Sequence, residues 1–212
     1  MAVLSFISQK GGVGKSTLAR LVARELAVQD YSVLVADMDL QQGSSIAWGR
    51  RRLAAEVKPE INVQSFNRVP TALQHGANFD ALIFDGAPHA TSTSEDIAKA
   101  CDLVVIPTGL SVDDMEPAVI LAQELERKGT KRERISFALC RVGNSETEIA
   151  ESRAYLEQAR FHVLPGAIPE MVTFRRASDM GRALSESNRA SLNEKADELA
   201  QAVFDRLEKL TK

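Results

Sequence analysis

The stretch SQKGGVGKST at residues 8–17 directly follows the first apolar run of the chain and decides the fold. Gly14, Lys15 and Ser16 match the phosphate-binding pattern G-x-x-x-x-G-K-[ST], although Gln9 occupies the position of its first glycine. Glycines allow backbone N–H groups to curl around an anion, and a following helix directs its positive end at that anion. The stretch therefore predicts a nucleotide site in which Lys15 reaches the β- and γ-phosphates and the Ser16 hydroxyl ligates Mg²⁺.

Short apolar runs rich in β-branched residues recur along the chain and lack the polar alternation of half-exposed strands. They are AVLSFIS at 2–8, SVLVAD at 32–37, ALIFD at 81–85, DLVVIP at 102–107 and ISFALC at 135–140. Helical patterns separate these runs. The alternation predicts an α/β fold with a doubly wound, mostly parallel sheet flanked by helices, and residues 1–212 are expected to form one domain.

Two helices carry recognisable boundary signals. Ser111 and Asp114 resemble a capping box for a helix that ends near Gly129. Ser191 and Glu194 resemble a second capping box, at the start of the last helix. One face of that last helix is expected to be buried, and its residues are Leu192, Ala196, Leu199, Val203, Leu207 and Leu210.

Carboxylates follow two of the predicted strands. Asp37 and Asp39 end the second run, and Asp85 ends the third. In open parallel sheets, ligands bind beyond the carboxyl ends of the strands. Because two of these residues are two positions apart in an extended segment, they are expected to point to the same side and to serve a metal shell or an attacking water.

The composition excludes several classes of protein. The net charge of −3 gives no overall field for nucleic acid, so any DNA contact must use local basic patches. Cys101 and Cys140 lie outside metal-type spacing and predict two buried thiols in a reduced intracellular protein. No run resembles a signal peptide or approaches the roughly 20 apolar residues of a membrane span, which predicts a soluble cytoplasmic protein.

Several segments together resemble the ParA/MinD family of ATPases. KGGVGKST resembles the family's deviant Walker A motif, DMDLQQ its D-x-D-P-Q motif, and DALIFDGAP its Walker B segment. The segments CDLVVIPTGLSVDDMEPA and GAIPEMVTFRRASDMGRAL also match, and the similarity runs from Ala2 to about Leu210. The resemblance implies a P-loop NTPase fold of the deviant Walker A type, with ATP and Mg²⁺ bound and a homodimer formed in the ATP state.

The resemblance also implies residue roles. Lys10 falls on the signature lysine, which crosses the dimer interface to the phosphates of the other subunit. Asp39 is expected to orient the attacking water, while Asp37 and Asp85 support the metal together with Ser16. The loop residues expected to bind nucleotide are Lys10, Gly11, Gly12, Val13, Gly14, Lys15, Ser16 and Thr17, and the expected adenine contacts are Arg141 and Pro169.

Two positions depart from the family pattern. Leu40 replaces the usual proline after the second Asp, and His89 stands where a second proline often follows Walker B. Neither change removes a functional group. A lone histidine at this place is expected to be a loop residue rather than a catalyst.

Charges and cysteines discriminate among the family's functions. The last helix mixes acidic and basic residues, which does not favour a membrane surface, and the cysteines do not favour an iron–sulfur carrier. DNA-binding residues of partition ATPases lie near the C-terminal part of the chain, where this sequence has Arg175, Arg176, Arg182 and Arg189. The clusters at 49–52 and 127–134 are interpreted as solvated helix ends, although residues 50–52 could add to a dimer-wide patch.

The chain begins directly with the phosphate-loop strand, which favours the short partition ATPases of the ParA type. The function predicted from the resemblance is hydrolysis of ATP to ADP and phosphate by an ATP-dependent dimer that binds DNA without sequence preference. A ParB-like centromere-binding or cargo adaptor protein is expected to stimulate hydrolysis, so that plasmids or chromosomes are partitioned. A VirC-type DNA-transfer ATPase and a positioning ATPase for a non-DNA cargo are the alternatives.

Overall fold

The computed structural model describes residues 1–88 and 91–212. His89, at which the sequence departs from the family pattern, lies outside the described residues. Within these described ranges, eight strands form the sheet. They are Ala2–Phe6 (β1), Val33–Asp37 (β2), Asn62–Ser65 (β3), Ala81–Asp85 (β4), Leu103–Thr108 (β5), Ile135–Val142 (β6), His162–Val163 (β7) and Ile168–Pro169 (β8).

The described residues also form eight α-helices, most of which lie between strands in the sequence. They are Lys15–Val28 (α1), Ser44–Ala54 (α2), Val69–Gly76 (α3), Thr91–Ala100 (α4), Val112–Arg127 (α5), Glu146–Gln158 (α6), Val172–Asp179 (α7) and Ala190–Thr211 (α8). Short 3₁₀ helices at Arg132–Arg134 and Leu184–Glu186 precede β6 and α8.

The sheet order is β3-β2-β4-β1-β5-β6-β7, and β8 pairs with β6. All strand pairings within the described residues are parallel. The predicted α/β fold with a doubly wound, parallel sheet is therefore confirmed. The order reverses at β1, so the loop after β1 opens at the point where such sheets bind their ligands.

Apolar side chains pack on both faces of the sheet. One core cluster lies beneath α3, α4, α5 and α6, and the other lies beneath α1 and α8. Every residue of β2, β4 and β5 is buried, as the unbroken apolar runs predict. Cys101 and Cys140 are both buried, and burial raises the pKa of each thiol to about 12.

Both predicted capping boxes are wrong, although the helices exist. The side chain of Ser111 makes no capping hydrogen bond, and the Asp114 carboxylate contacts Lys10. The last helix begins at Ala190, so Ser191 already lies inside it. The predicted end near Gly129 is confirmed: Gly129 has φ 103°, and the N–H of Thr130 donates to the carbonyl of Leu125 at 3.0 Å.

Candidate nucleotide site

The glycine loop lies between β1 and α1 and turns back on itself through left-handed residues. Gly12 has φ 74° and Gly14 has φ 113°, conformations that residues with a Cβ rarely adopt. Val13, between them, is buried, and α1 begins immediately afterwards at Lys15. The loop therefore presents backbone N–H groups and a helix N-terminus to the same space.

Lys15 is a buried cation, with only 7% of its surface exposed. Its Nζ donates to the carbonyl oxygen of Lys10 at 3.0 Å. Burial lowers the pKa of Lys15, while the negative charges of Asp85 and Asp39 oppose this effect. The ammonium therefore lies between the loop backbone and two carboxylates, where a phosphate would add a stronger counter-charge.

A polar cavity of about 230 Å³ opens beside this loop. Lys15, Ser16, Arg20 and Asp39 line it, together with Gly11, Gly12, Gly14 and Thr17. The cavity thus collects most of the loop residues predicted from the sequence, and it adds Arg20, which the sequence analysis did not single out.

Asp85 ends β4 and is buried at the floor of the site, with 2% of its surface exposed. Burial raises its pKa to about 6, against the opposing effect of the hydrogen bond from the Ser45 hydroxyl. Its Oδ2 accepts from the Ser45 hydroxyl at 2.6 Å, and within the described residues its Oδ1 has no hydrogen-bond partner. An unpartnered buried carboxylate oxygen near the Ser16 hydroxyl fits a hard divalent cation.

Asp37 and Asp39 do not act as a pair on one side of an extended segment, because β2 ends at Asp37. The carboxylate of Asp37 accepts from the backbone N–H groups of Ser45 and Ile46 at 2.9 and 3.0 Å, so it lies at the N-terminus of α2. Asp39 lines the polar cavity, and its Oδ1 accepts from two backbone N–H groups of the following turn.

Lys10 points to Asp114 of the same chain. Its Nζ lies 2.5 Å from Asp114 Oδ1, and the exposed fractions of the two side chains are 42% and 19%. Burial favours the protonated form of Asp114, but the Lys10 ammonium outweighs it and lowers the pKa of Asp114. A Cβ at Gly109 would lie 2.3 Å from Asp114 Oδ2, so this glycine makes room for the carboxylate.

A second cavity of about 520 Å³ adjoins the first along Gly12, Gly14 and Thr17. Arg141 and Pro169 both line it, as do apolar residues including Ile168, Met171 and Phe174. Arg141 adopts the left-handed φ of 57° at an irregularity in the pairing of β6 with β8, and its guanidinium lies 3.4 Å from Glu170. The two residues predicted for adenine are therefore brought to one mostly apolar cavity.

The four C-terminal arginines are all exposed, and the structure divides them. Arg176, Arg182 and Arg189 line a separate groove of about 480 Å³, together with the acidic residues Asp179 and Glu186. We call these three residues the arginine groove. Arg175 instead lines the second nucleotide-side cavity, with its guanidinium 3.5 Å from Glu170.

The basic run at 49–52 does not form a uniform surface. Arg52 is 2% exposed, and its guanidinium forms a bidentate pair with Glu186 at 2.7 and 3.0 Å. The expectation that residues 50–52 add to a DNA patch is therefore wrong for Arg52, whose charge is already paired inside the protein. Arg50 and Arg51 are exposed.

Sequence reasoning missed Arg20 and Ser45. Arg20 is 7% exposed, and its Nε donates to the Ser45 hydroxyl at 3.1 Å. A signal was present for the arginine: it stands four residues after Ser16 and so faces the same side of α1. A charged residue within an apolar stripe is expected to be buried together with a polar partner. Ser45 has no comparable signal, because its position depends on how α2 packs.

Comparison with known proteins gives the family. Residues 4–184 match the CobQ/CobB/MinD/ParA nucleotide binding domain, and the chain belongs to that family. The chain is 24% identical over 220 residues to the protein ParA of Rhizobium radiobacter, with 98% of each chain covered. It is 31% identical over 107 residues to the maintenance of carboxysome distribution protein A of Gloeobacter kilaueensis, covering 50% of this chain and 48% of the relative.

The fold is also that of solved structures. The septum site-determining protein MinD of Pyrococcus horikoshii, solved in complex with Mg-ADP, superposes with a TM-score of 0.74 at 17% identity. The match covers 95% of each chain. The resemblance to the ParA/MinD family and the P-loop NTPase fold predicted from it are confirmed. Within the described parts of the chain, no helix has the length and apolar character needed to cross a membrane.

Proposed function

We propose that the protein is an ATPase that hydrolyses ATP to ADP and phosphate. The observation that carries this proposal is the pair of adjoining cavities on the glycine loop, one polar and lined by Lys15 and Asp39, the other mostly apolar. Their sizes and linings suit a triphosphate and a base, respectively. The membership of a nucleotide-binding family supports the same assignment.

The residues around a triphosphate would share the work of phosphoryl transfer. Lys15 would bind the β- and γ-phosphates, and the loop N–H groups would hold the equatorial oxygens. Asp39 lines the same cavity and would orient the attacking water in line with the leaving group. Arg141 and Pro169 would hold the adenine in the larger cavity.

Ser16 and Asp85 would hold Mg²⁺, which neutralises the charge that develops on the phosphate oxygens. The free Oδ1 of Asp85 is the observation in favour of this cation. Within the described residues, no group of three or more His, Cys, Asp or Glu side chains is placed to hold a metal. A cation held by few protein ligands and by the phosphates of its nucleotide is typical of Mg²⁺. Asp37 supports this site indirectly, by fixing the start of α2.

We further propose that ATP completes a homodimer through Lys10. Its side chain is 42% exposed, and among the described residues its ion-pair partner is the partly buried Asp114. Exposed ion pairs contribute about 0–1 kcal/mol, so a bound triphosphate on a second copy offers Lys10 a better counter-charge. In that position the ammonium would stabilise the transferring phosphoryl group in the way an arginine finger does.

The cargo assigned in this proposal is DNA, bound without sequence preference by the ATP dimer. The arginine groove supplies three exposed guanidinium groups on one surface, which suits phosphate contacts. The similarity to the protein ParA over 98% of both chains supports a role in plasmid or chromosome partition. A ParB-like centromere-binding or cargo adaptor protein would then stimulate hydrolysis and release.

One observation favours a second candidate, a positioning ATPase for a non-DNA cargo. The carboxysome distribution protein is the more identical of the two relatives, although over half of the chain. A VirC-type DNA-transfer ATPase is the third candidate, and it would be distinguished by recruitment of a relaxase.

Binding to duplex DNA of arbitrary sequence tests the proposal. The dissociation constant is measured without nucleotide, with Mg-ADP and with Mg-ATP. We expect tight, salt-sensitive binding only with Mg-ATP. Binding that ignores the nucleotide, or no binding in any state, would exclude the partition function and leave cargo positioning as the candidate to pursue.

A further inference from the structure

Arg20 is a buried cation that touches two other elements. It lies on α1 one turn beyond Ser16, and its Nε donates to the Ser45 hydroxyl on α2 at 3.1 Å. Its Nη1 donates to the Ser178 hydroxyl on α7 at 3.2 Å. The guanidinium carbon also lies 5.7 Å from the centre of the Trp48 ring. Burial lowers the pKa of Arg20 to about 10, so it stays cationic at neutral pH.

These contacts form a continuous chain of hydrogen bonds. Ser45 Oγ donates to Asp85 Oδ2 at 2.6 Å and accepts from Arg20, which in turn donates to Ser178. Three hydrogen bonds therefore connect the carboxylate at the end of β4 with the surface helix α7. The negative charge of Asp85 also acts on Arg20 directly, since it opposes the lowering of the arginine pKa by burial.

The segment at the far end of this chain is packed rigidly. A Cβ at Gly181 would lie 2.3 Å from the backbone nitrogen of Arg52, so the turn after α7 meets the backbone of α2 directly. Arg52 Nη1 donates to the carbonyl of Gly181 at 3.1 Å, and Trp48 Nε1 donates to the carbonyl of Arg182 at 3.1 Å. A displacement of α7 would therefore carry the turn and α2 with it.

The same segment carries the arginine groove. Arg176 lies on α7, two residues before Ser178, and Arg182 belongs to the turn that Trp48 and Arg52 hold. The buried end of the hydrogen-bond chain is thus the proposed metal carboxylate, and its exposed end is the proposed DNA surface.

We propose that Arg20 is a positioning residue that transmits the occupancy of the nucleotide site to the arginine groove. The inference rests on the proposed function and adds the route by which ATP controls DNA binding. Arg20 lines the polar cavity, so the phosphates and the cation of a bound nucleotide would change the charge that faces its guanidinium. This charge sets how firmly the guanidinium holds Ser178, and with it the position of α7 and its arginines.

The test is the gain in DNA affinity that the nucleotide produces. The dissociation constant for duplex DNA of arbitrary sequence is measured with Mg-ADP and with Mg-ATPγS, and their ratio is the coupling factor. Ser178→Ala removes only the last hydrogen bond of the chain and should reduce this factor at least about fivefold, the lower range of allosteric couplings. Arg20→Lys should do the same, because an ammonium cannot bridge both hydroxyls with a rigid fork.

Matched controls come from α6, on the opposite face of the sheet. Ser152→Ala removes another buried helical serine, and Arg153→Lys removes another arginine, whose Nη1 and Nη2 donate to backbone carbonyls of Leu164 and Gly166. Both should keep the coupling factor of the wild type. The double variant Arg20→Lys/Ser178→Ala should lose no more coupling than either single variant, since the two residues form one connection.

The outcomes separate this inference from the function on which it rests. No gain from Mg-ATPγS in the wild type would contradict the proposed function itself. A wild-type gain that Ser178→Ala and Arg20→Lys both retain would overturn the role of Arg20 and leave the function intact. Affinity for Mg-ATPγS without DNA is measured in parallel. A fall there as large as the fall in the coupling factor would place Ser178 in base binding and would likewise overturn the inference.

Discussion

Lys10 and Lys15 lie on one loop, yet their surroundings hold the two side chains with different strength. Lys15 is buried and its Nζ donates to a loop carbonyl, so it is held inside its own site. Lys10 is held by one partly exposed partner, Asp114, which it can exchange at little cost. Lys15 is thus suited to binding a ligand of its own chain, and Lys10 to meeting a ligand of another.

Replacing the two lysines by alanine should affect different properties of the protein. Lys15→Ala should weaken binding of an ATP analogue at least about 100-fold, because it removes a desolvated cation aimed at the phosphates. Lys10→Ala should change that affinity less than about tenfold but abolish ATP-dependent dimerisation and hydrolysis. Nucleotide titration and sedimentation measure the two effects. Equal losses of nucleotide affinity would contradict the division of roles.

Asp85 should make the nucleotide-free protein less stable at alkaline than at acid pH. Burial raises its pKa in the folded chain from 3.8 to about 6, so its ionisation opposes folding. The stabilising contribution of the neutral acid is complete below about pH 4 and is lost as the pH rises through 6. Asp85→Asn should therefore raise the free energy of unfolding at pH 8 by up to about 3 kcal/mol, and by little at pH 4.

Thermal unfolding of the metal-free and nucleotide-free protein checks this expectation. Asp85→Asn should also remove the extra stabilisation that Mg²⁺ adds to that of ATP, because an amide is a poor substitute for a carboxylate ligand. If the Asp85→Asn variant is less stable than the wild type at both pH 4 and pH 8, the buried charge of Asp85 does not destabilise the folded protein.

At the scale of elements, the central strands could be predicted and the outer ones could not. β2, β4 and β5 are buried on both faces and read as unbroken apolar runs. β3 is an edge strand with the sequence NVQS and mostly exposed residues, so no apolar pattern marks it. β7 and β8 have two residues each, too few to show any periodicity. Their positions follow from tertiary pairing alone.

The residues of the site also divide into those that could be predicted from the sequence and those that could not. The glycine loop and Asp85 could be predicted, because they follow from the local order of strand, turn and helix. The contact of Asp114 with Lys10 spans 104 residues, and that of Arg20 with Ser178 spans 158 residues. Local patterns hold no information about such pairs, and Asp114 was accordingly mistaken for a helix cap. These contacts arise only when the sheet order brings distant loops to one edge.

The turn after α7 should be the least tolerant of the glycine positions on this face. Gly181→Ala combines a left-handed φ of 72° with a Cβ only 2.3 Å from backbone of α2, so it should cost more than about 3 kcal/mol. Gly129→Ala is the matched control, because its φ of 103° is also left-handed but open space surrounds it. Its cost should be about 1–2 kcal/mol. Denaturant unfolding measures both, and equal costs would show that packing against α2 is unimportant.

At the scale of the whole molecule, the arginine groove is one region that suits a polyanion. The net charge is −3, and the buried arginines Arg20 and Arg52 already have partners inside the protein. The arginine groove gathers three exposed guanidinium groups, which a dimer would double. DNA binding through this groove would depend on a few phosphates and therefore on salt.

The salt dependence of DNA binding should reveal which arginines meet phosphates. Replacing Arg176, Arg182 or Arg189 with Gln should lower the slope of log affinity against log salt concentration by about 0.9 for each phosphate that is no longer neutralised, and so by about 1.8 in a dimer. Arg127→Gln is the control, because this exposed arginine lies at the end of α5 on the opposite face. A slope changed equally by all four substitutions would point to the total charge rather than to the groove.

The two cysteines give the molecule a natural pair of chemical reporters. Cys140 lies beneath the glycine loop, where a Cβ on Gly14 would come within 3.3 Å of its sulfur, while Cys101 lies in the core on the opposite face of the sheet. Both thiols are buried and weakly acidic, so alkylation of either requires the protein to open. Cys140 also lines the second cavity, so its rate relative to that of Cys101 reports how far this cavity and the loop above it open, independently of global unfolding. A ligand bound to the loop should lower the alkylation rate of Cys140. The rate of Cys101 should stay unchanged and serves as the internal reference.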